Sequence, residues 1–260
     1  MDLQLKDKVV VITGGAKGIG AAITRACARE FALPVIVDRD EKAAKALHAE
    51  LHHTGVNSHI VALDITEPKN CERAVAEAIQ SFGRVDALVN NAGINDGVGL
   101  ASGSPEKYVE SLQRNLLHYY NLAHYALPYL KRAHGAIVNI ASKTAVTGQG
   151  NTSGYASSKG AILALTREWA VELLPFGVRV NAILPAEVMT PLYEQWLKTF
   201  PNPDEKLESI RGKIPLGKRM TTADEIAATA AFLLSPLSGH TTGQHLYVDG
   251  GYVHLDRALI

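Results

Sequence analysis

Short runs of β-branched and aliphatic residues alternate along this chain with longer segments whose apolar positions recur at helical spacing. Val9-Val10-Val11-Ile12 is apolar at every position, as expected of a parallel strand covered on both faces. Val35-Ile36-Val37 repeats the pattern, and similar runs place strands at about 9–13, 34–38, 58–63, 85–90, 136–142, 178–184 and 244–248. Helical segments fill the gaps through short connections. The chain therefore reads as one α/β domain over residues 1–260, a doubly wound sheet of seven parallel strands flanked by helices. Ser104-Pro105 marks a helix start, an N-cap followed by proline at the first helical position, and Thr222-Ala223-Asp224-Glu225 forms a capping box. The alternation breaks between Pro191 and about Gly217, where Pro201, Pro203 and Pro215 interrupt amphipathic pieces. A small helical lid over the carboxyl edge of the sheet is expected there.

Composition narrows the partners. At 260 residues, one large domain can bury roughly three quarters of its unfolded surface. The 26 basic and 26 acidic residues form no run of either sign, which argues against nucleic acid or an anionic membrane as partner. No apolar stretch approaches ~18 residues and no signal-peptide pattern opens the chain, so a cytoplasmic protein is expected. Cys27 and Cys71 lie on separate expected helices and read as buried thiols. His48 and His52 share a helix face with His53 nearby, but no further ligand stands at metal spacing; they read as a solvated face, and no metal is expected.

Candidate chemistry begins with Tyr155 and Lys159, four residues apart in a helical segment and so on one face. A free phenol, with a pKa near ~10, is a poor base; a neighbouring ammonium favours its ionised form. Near the N-terminus, Thr13-Gly14-Gly15-Ala16-Lys17-Gly18-Ile19-Gly20 joins the first strand to an Ala-rich helix. Glycines in such a turn let backbone approach a pyrophosphate closely, and the helix N-terminus offers N–H groups to it. The second strand ends in Asp38, near the distance at which a carboxylate meets an adenosine ribose.

That turn, Asp64 after the third strand, Asn90-Asn91-Ala92-Gly93 after the fourth, Asn115 in the next helix, Ser142 ending the fifth strand and the Tyr155/Lys159 pair stand in family order and spacing. The chain resembles the short-chain dehydrogenase/reductase family over essentially its full length. The resemblance implies a Rossmann-type domain, an NAD or NADP coenzyme, and a catalytic set of Asn115, Ser142, Tyr155 and Lys159. In that set Tyr155 exchanges a proton with the substrate oxygen and Ser142 donates a hydrogen bond to it. Lys159 favours the phenolate and holds the nicotinamide ribose, while Asn115 interrupts its helix and orders a water that leads protons outward. The implied coenzyme positions are Gly14, Lys17, Gly18, Ile19 and Gly20 in the turn, then Asp38 and Arg39. Asp64 with Ile65 would lie beside the adenine, Asn90, Asn91, Ala92 and Gly93 beneath the adenosine half, and Pro185, Val188 and Thr190 toward the nicotinamide. The family usually has Pro-Gly after the sixth strand; Ala186 departs from it, which suggests that no glycine-only conformation is needed. A homotetramer is also implied, with helices around 104–130 and 153–174 packing on their counterparts and Tyr252 to Ile260 crossing to a neighbour. Ile162, Leu163, Leu165 and Trp169 are the apolar positions expected on that surface.

Coenzyme and substrate preferences rest on fewer residues. Asp38 favours NAD, because a 2′-phosphate there meets like charge, although Lys17 or Arg39 could accommodate NADP. The expected pocket loops carry Asn95, Asp96, Lys143, Gln149, Asn151 and Glu187, whereas a steroid or acyl pocket is expected to be largely apolar. A polyhydroxylated sugar would satisfy such groups, with Trp196 of the lid stacking on its apolar face. Residues 142–155, 165–170, 185–193 and 254–259 resemble the L-fucose dehydrogenase branch, which oxidises the anomeric hydroxyl of a 6-deoxy aldose to a lactone. The alternatives are a 3-oxoacyl or hydroxysteroid reductase of the same family and a non-catalytic nucleotide sensor. The presence of Ser142, Tyr155 and Lys159 speaks against the sensor.

Overall fold

The computed structural model describes residues 2–256. The last residues of the expected subunit-crossing tail, 257–260, lie outside the described residues. Seven strands form one parallel sheet: β1 Val9–Thr13, β2 Leu33–Asp38, β3 His59–Ala62, β4 Ala87–Asn90, β5 Ala136–Ile140, β6 Arg179–Pro185 and β7 His245–Val248. Their spatial order is β3-β2-β1-β4-β5-β6-β7. The expected strands all form, each within a few residues of its reading.

Period-two geometry explains why β1 is apolar from Val9 to Ile12. Val9 and Val11 face one layer, packing with Cys71 and Ala74 of α3 (Pro68–Phe82), Tyr119 and Leu122 of α5 (His118–Ala133), and Ile162 of α6 (Ser153–Leu173). Val10 and Ile12 face the other, against Ile23 and Cys27 of α1 (Gly18–Arg29) and Ile226 and Ala230 of α9 (Ala223–Leu234). Cys27 and Cys71 are buried thiols in these layers, as expected. The remaining α-helices are α2 Glu41–His53, α4 Pro105–Leu112, and α7 Pro191–Leu197 and α8 Pro203–Arg211 in the segment expected to form a lid.

Local signals were realised. Ser104 Oγ accepts from Lys107 N at 3.3 Å, and both bonds of the Thr222/Glu225 capping box are present. Among the described residues no cluster of His, Cys, Asp or Glu could hold a metal ion, and no helix is long and apolar enough to cross a membrane. The apolar residues expected on an oligomer surface need correcting. Ile162, Leu163 and Trp169 are buried within the subunit, because the inner side of α6 lies flat on the sheet, and the exposed apolar residues at its C-terminal end are Val171 and, in the turn just after it, Leu174.

The chain leaves β1 toward β2 and β3, then returns to β4 on the opposite side of β1. Adjacent crossovers therefore diverge at β1 and β4, and a crevice opens beyond the carboxyl ends of these strands.

Candidate active site

A cleft of about 750 Å³ occupies that crevice. Its floor begins at the glycine-rich turn. Gly14 and Gly18 take positive φ values of 58° and 53°, which only glycine adopts without strain. Gly20 does not line the cleft. A Cβ there would stand 2.0 Å from Gly14 O, so its role is to let α1 close on the turn. No side chain caps the first turn of α1, whose N–H groups open beside Gly18 and Ile19 in the cleft wall. An uncapped helix start on a glycine turn fits a pyrophosphate.

Further along the same wall stand Asp38 and Arg39, Asp64 and Ile65, then Asn91, Ala92 and Gly93. Asp38 is fixed at the end of β2: Ala16 N donates to Oδ2 at 3.1 Å and Asp40 N to Oδ1 at 2.9 Å. The ammonium of Lys17, though at the cleft edge, is paired with Asp40. Hydrogen bonds from Thr66 hold the Asp64 carboxyl below its usual range, helped by Arg39. Asn90 turns inward instead, donating to Asn139 Oδ1 at 3.0 Å, so its neighbour Asn91 meets the cleft. Asn91 and Ala92 are pinned by their N–H groups to the Thr13 hydroxyl, at 2.9 and 3.0 Å.

Ser142, Tyr155 and Lys159 converge on the far end, from β5 and α6. Burial pushes the Tyr155 phenol up to about 12, and a hydrogen bond with Ser142 opposes the shift. Burial alone lowers Lys159 to about 7. The ammonium does not bond to the Tyr155 hydroxyl here. It donates to Tyr119 Oη at 2.9 Å and to Ile140 O at 2.8 Å, with Nζ 5.5 Å from the Tyr155 ring centre. The expected stabilisation of the phenolate is therefore not made in this conformation, because the ammonium is turned to Tyr119 and Ile140.

Asn115 interrupts its helix as expected, within a π-turn over Gln113–Leu117. Its Oδ1 accepts from Ile94 N at 2.7 Å and its Nδ2 donates to Ser111 O at 3.0 Å, so it ties the loop after β4 to α4. A Cβ on Gly93 would stand 3.1 Å from Asn115 Oδ1 and 3.5 Å from Lys159 Nζ; the missing side chain lets the two approach.

The cleft is also lined by Ile94, Asn95, Asp96, Ala186, Leu192, Tyr193 and Gln195, and by Pro185, Val188 and Thr190. Ala186 has no positive φ, in accord with the departure from glycine. Four residues read as substrate contacts stand elsewhere. Lys143 and Glu187 do not line the cleft; they pair with each other, and Glu187 Oε2 accepts from Tyr193 Oη at 2.7 Å. The donors that Glu187 needs thus come from the protein. Gln149 is exposed in the loop before α6, and Trp196 packs edge-on to Tyr193 and Phe200. Sequence reading passed over His118 and Tyr119. Both lie one turn beyond Asn115, a spacing that places them on its face of the helix, but nothing in their type announced a role.

A family model described as enoyl-(acyl carrier protein) reductase matches residues 14–253, and the chain belongs to the short-chain dehydrogenase/reductase family. Its coenzyme is accordingly NAD(P). L-fucose dehydrogenase of Bos taurus is 37% identical over 96% of this chain and 91% of its own length. A 3-oxoacyl-(acyl-carrier-protein) reductase of Thermotoga maritima is 33% identical over 96% and 100%. Among solved structures, the dehydrogenase Cj0485 is 50% identical with a TM-score of 0.94, covering 99% of this chain and 98% of its own. L-sorbose reductase of Gluconobacter frateurii, complexed with NADPH and L-sorbose, is 30% identical with a TM-score of 0.93, covering 98% and 100%.

Proposed function

We propose that this oxidoreductase oxidises the C1 hydroxyl of L-fucose, or of a stereochemically close aldose such as D-arabinose or L-galactose, to the lactone with NAD. The observation that carries the reading is the polar lining of the cleft that holds the catalytic set: Asn95, Asp96, Tyr193 and Gln195 line it together with Ser142 and Tyr155. A sugar supplies hydroxyls to such groups, and sites built to pair polar groups discriminate strongly, on the order of 10⁴, against analogues that leave them unpaired. Similarity to the bovine L-fucose dehydrogenase supports the same choice.

A bound NAD would supply the hydride acceptor. Tyr155 takes the hydroxyl proton, for which its phenol must first ionise, and a phenol held at about 12 needs a cation nearby. Lys159 is the cation within reach. Ser142 donates to the same substrate oxygen and orients it, and Asn115 keeps Gly93 and Lys159 in register beneath. Asp38 at the end of β2 accepts from the ribose hydroxyls and disfavours a 2′-phosphate, while Lys17, already paired with Asp40, offers that phosphate little. Of the positions read as substrate contacts, Asn95 meets the sugar directly, and Lys143 with Glu187 holds Tyr193 in place.

The second reading is a 3-oxoacyl or hydroxysteroid reductase, favoured by Ile94 and Leu192 in the same wall and by the Thermotoga relative. Coenzyme reduction across aldoses, and coenzyme oxidation across acyl thioesters and steroids, each with NAD and NADP, separates the two. Efficient turnover of a thioester or steroid with no aldose oxidised would refute the sugar reading. We further propose a homotetramer, built on exposed Tyr108, Tyr120 and Val171 of α4 to α6 and on Leu174 just after α6. A monomeric mass by light scattering would rule it out.

A further inference from the structure

Tyr119 is the largest fully buried side chain in the domain, and its hydroxyl is spent on the active site and not on the core around it. The phenol donates to Ile140 O at 2.9 Å, which fixes the hydroxyl proton and leaves a lone pair. Lys159 Nζ donates to that lone pair at 2.9 Å and to the same carbonyl at 2.8 Å. An ammonium has three donors in tetrahedral array. Two are engaged by Tyr119 and Ile140, so the third points away from both, and Lys159 lines the same cleft as Tyr155.

We propose that Tyr119 is a positioning residue of Lys159: by accepting one of its three N–H bonds, it keeps the lysine charged and aims the remaining donor into the cleft. The arrangement needs a side chain long enough to reach from α5 to the end of β5, with a neutral hydroxyl. Burial and the nearby Tyr155 keep Tyr119 in its neutral form well above its ordinary pKa. The titratable groups around Nζ are Tyr155 from α6, Tyr119 and His118 from α5 and, beyond His118, Asp64 from the loop after β3. His118 stays neutral near pH 7, because burial lowers it to about 4, so it adds no competing charge. The inference depends on the family's coenzyme chemistry and not on which alcohol is oxidised.

The test measures NADH affinity by nucleotide fluorescence from about pH 5 to 9, spanning the lysine's titration, in wild type, Tyr119→Phe, Lys159→Met and the double variant. Tyr119→Phe should weaken NADH about tenfold near neutral pH, the scale of one hydrogen bond to a charged group. With one acceptor fewer, the ammonium gives up its proton earlier, so affinity should fall off at lower pH than in wild type. In the Lys159→Met background the same substitution should change affinity by less than about twofold, since no ammonium remains to aim. Unchanged affinity and pH dependence in Tyr119→Phe, or an equal loss in both backgrounds, overturns the proposal. If Tyr119→Phe does not fold, recovery of folding by Lys159→Met supports a buried ammonium in need of its acceptor, and failure in both backgrounds refutes it. Because binding is read directly, failure of the sugar reading leaves this result intact.

Discussion

Replacing Glu187 by alanine removes the acceptor from two partners at once, the Lys143 ammonium and the Tyr193 hydroxyl. The two charged side chains are only 9% and 13% exposed, Lys143 and Glu187 respectively, so water cannot readily take the carboxylate's place. An uncompensated buried charge costs about 3–5 kcal/mol, and the unpaired phenol adds about 1 kcal/mol more when no water reaches it. For a chain of 260 residues, 3–5 kcal/mol corresponds to a fall in Tm of roughly 5–9 °C. Removing both charges together is different, because apolar replacement of a buried pair is often neutral or stabilising. Lys143→Met/Glu187→Leu should therefore melt above Glu187→Ala, close to wild type. Calorimetric melting with urea unfolding of wild type, Glu187→Ala and the double variant measures the difference. A Glu187→Ala protein within about 1 kcal/mol of wild type, or a double variant no more stable than the single, would show that the pair is not buried as described. Neither residue lines the cleft, so the coenzyme dissociation constant should hardly move, while the Tyr193 wall loosens and KM for sugar rises.

Three further outcomes are expected. Tyr155→Phe should lower turnover by at least ~10² while leaving coenzyme affinity nearly intact, whereas Lys159→Met damages both; retention of more than about a tenth of the rate refutes the assignment of Tyr155. Asp38→Ser should narrow or reverse a preference for NAD in the ratio of kcat/KM values, and an unchanged ratio would mean that Arg39 decides it. His118 binds its proton near 6.5 when unfolded but only at about 4 when folded, so the unfolded state holds more protons between those values. Stability is thus lost as pH falls from 6.5 toward 4, and His118→Gln should flatten that part of the unfolding curve.

Much of the fold could be read from local chemistry. β1 is apolar from Val9 to Ile12 because both faces are covered, Ser104 and Thr222 are caps because their side chains satisfy first-turn N–H groups, and Gly14 and Gly18 stand where positive φ is required. The catalytic set was legible for a related reason. Tyr155 and Lys159 are one helical turn apart, and Asn115 and Ser142 lie at element ends where short motifs hold their place. The polar side chains of the substrate loops were legible as a composition and not as contacts. Nothing local distinguishes Asn95, which lines the cleft, from Gln149, which does not.

Order along the chain thus determined the strands, the turn that fits a pyrophosphate and the candidates for the reacting groups, since periodicity, capping and turn conformation act over a few residues. Only the tertiary structure decided where charge goes once those groups are buried. Glu187 meets Lys143 across 44 residues, and Lys159 meets Tyr119 across 40. Each pairing follows from packing α5, α6 and the loop after β6 around one crevice. A buried ammonium takes whichever acceptors the fold brings within about 3 Å, and for Lys159 these are Tyr119 Oη and Ile140 O because α5 presents Tyr119 to the end of β5.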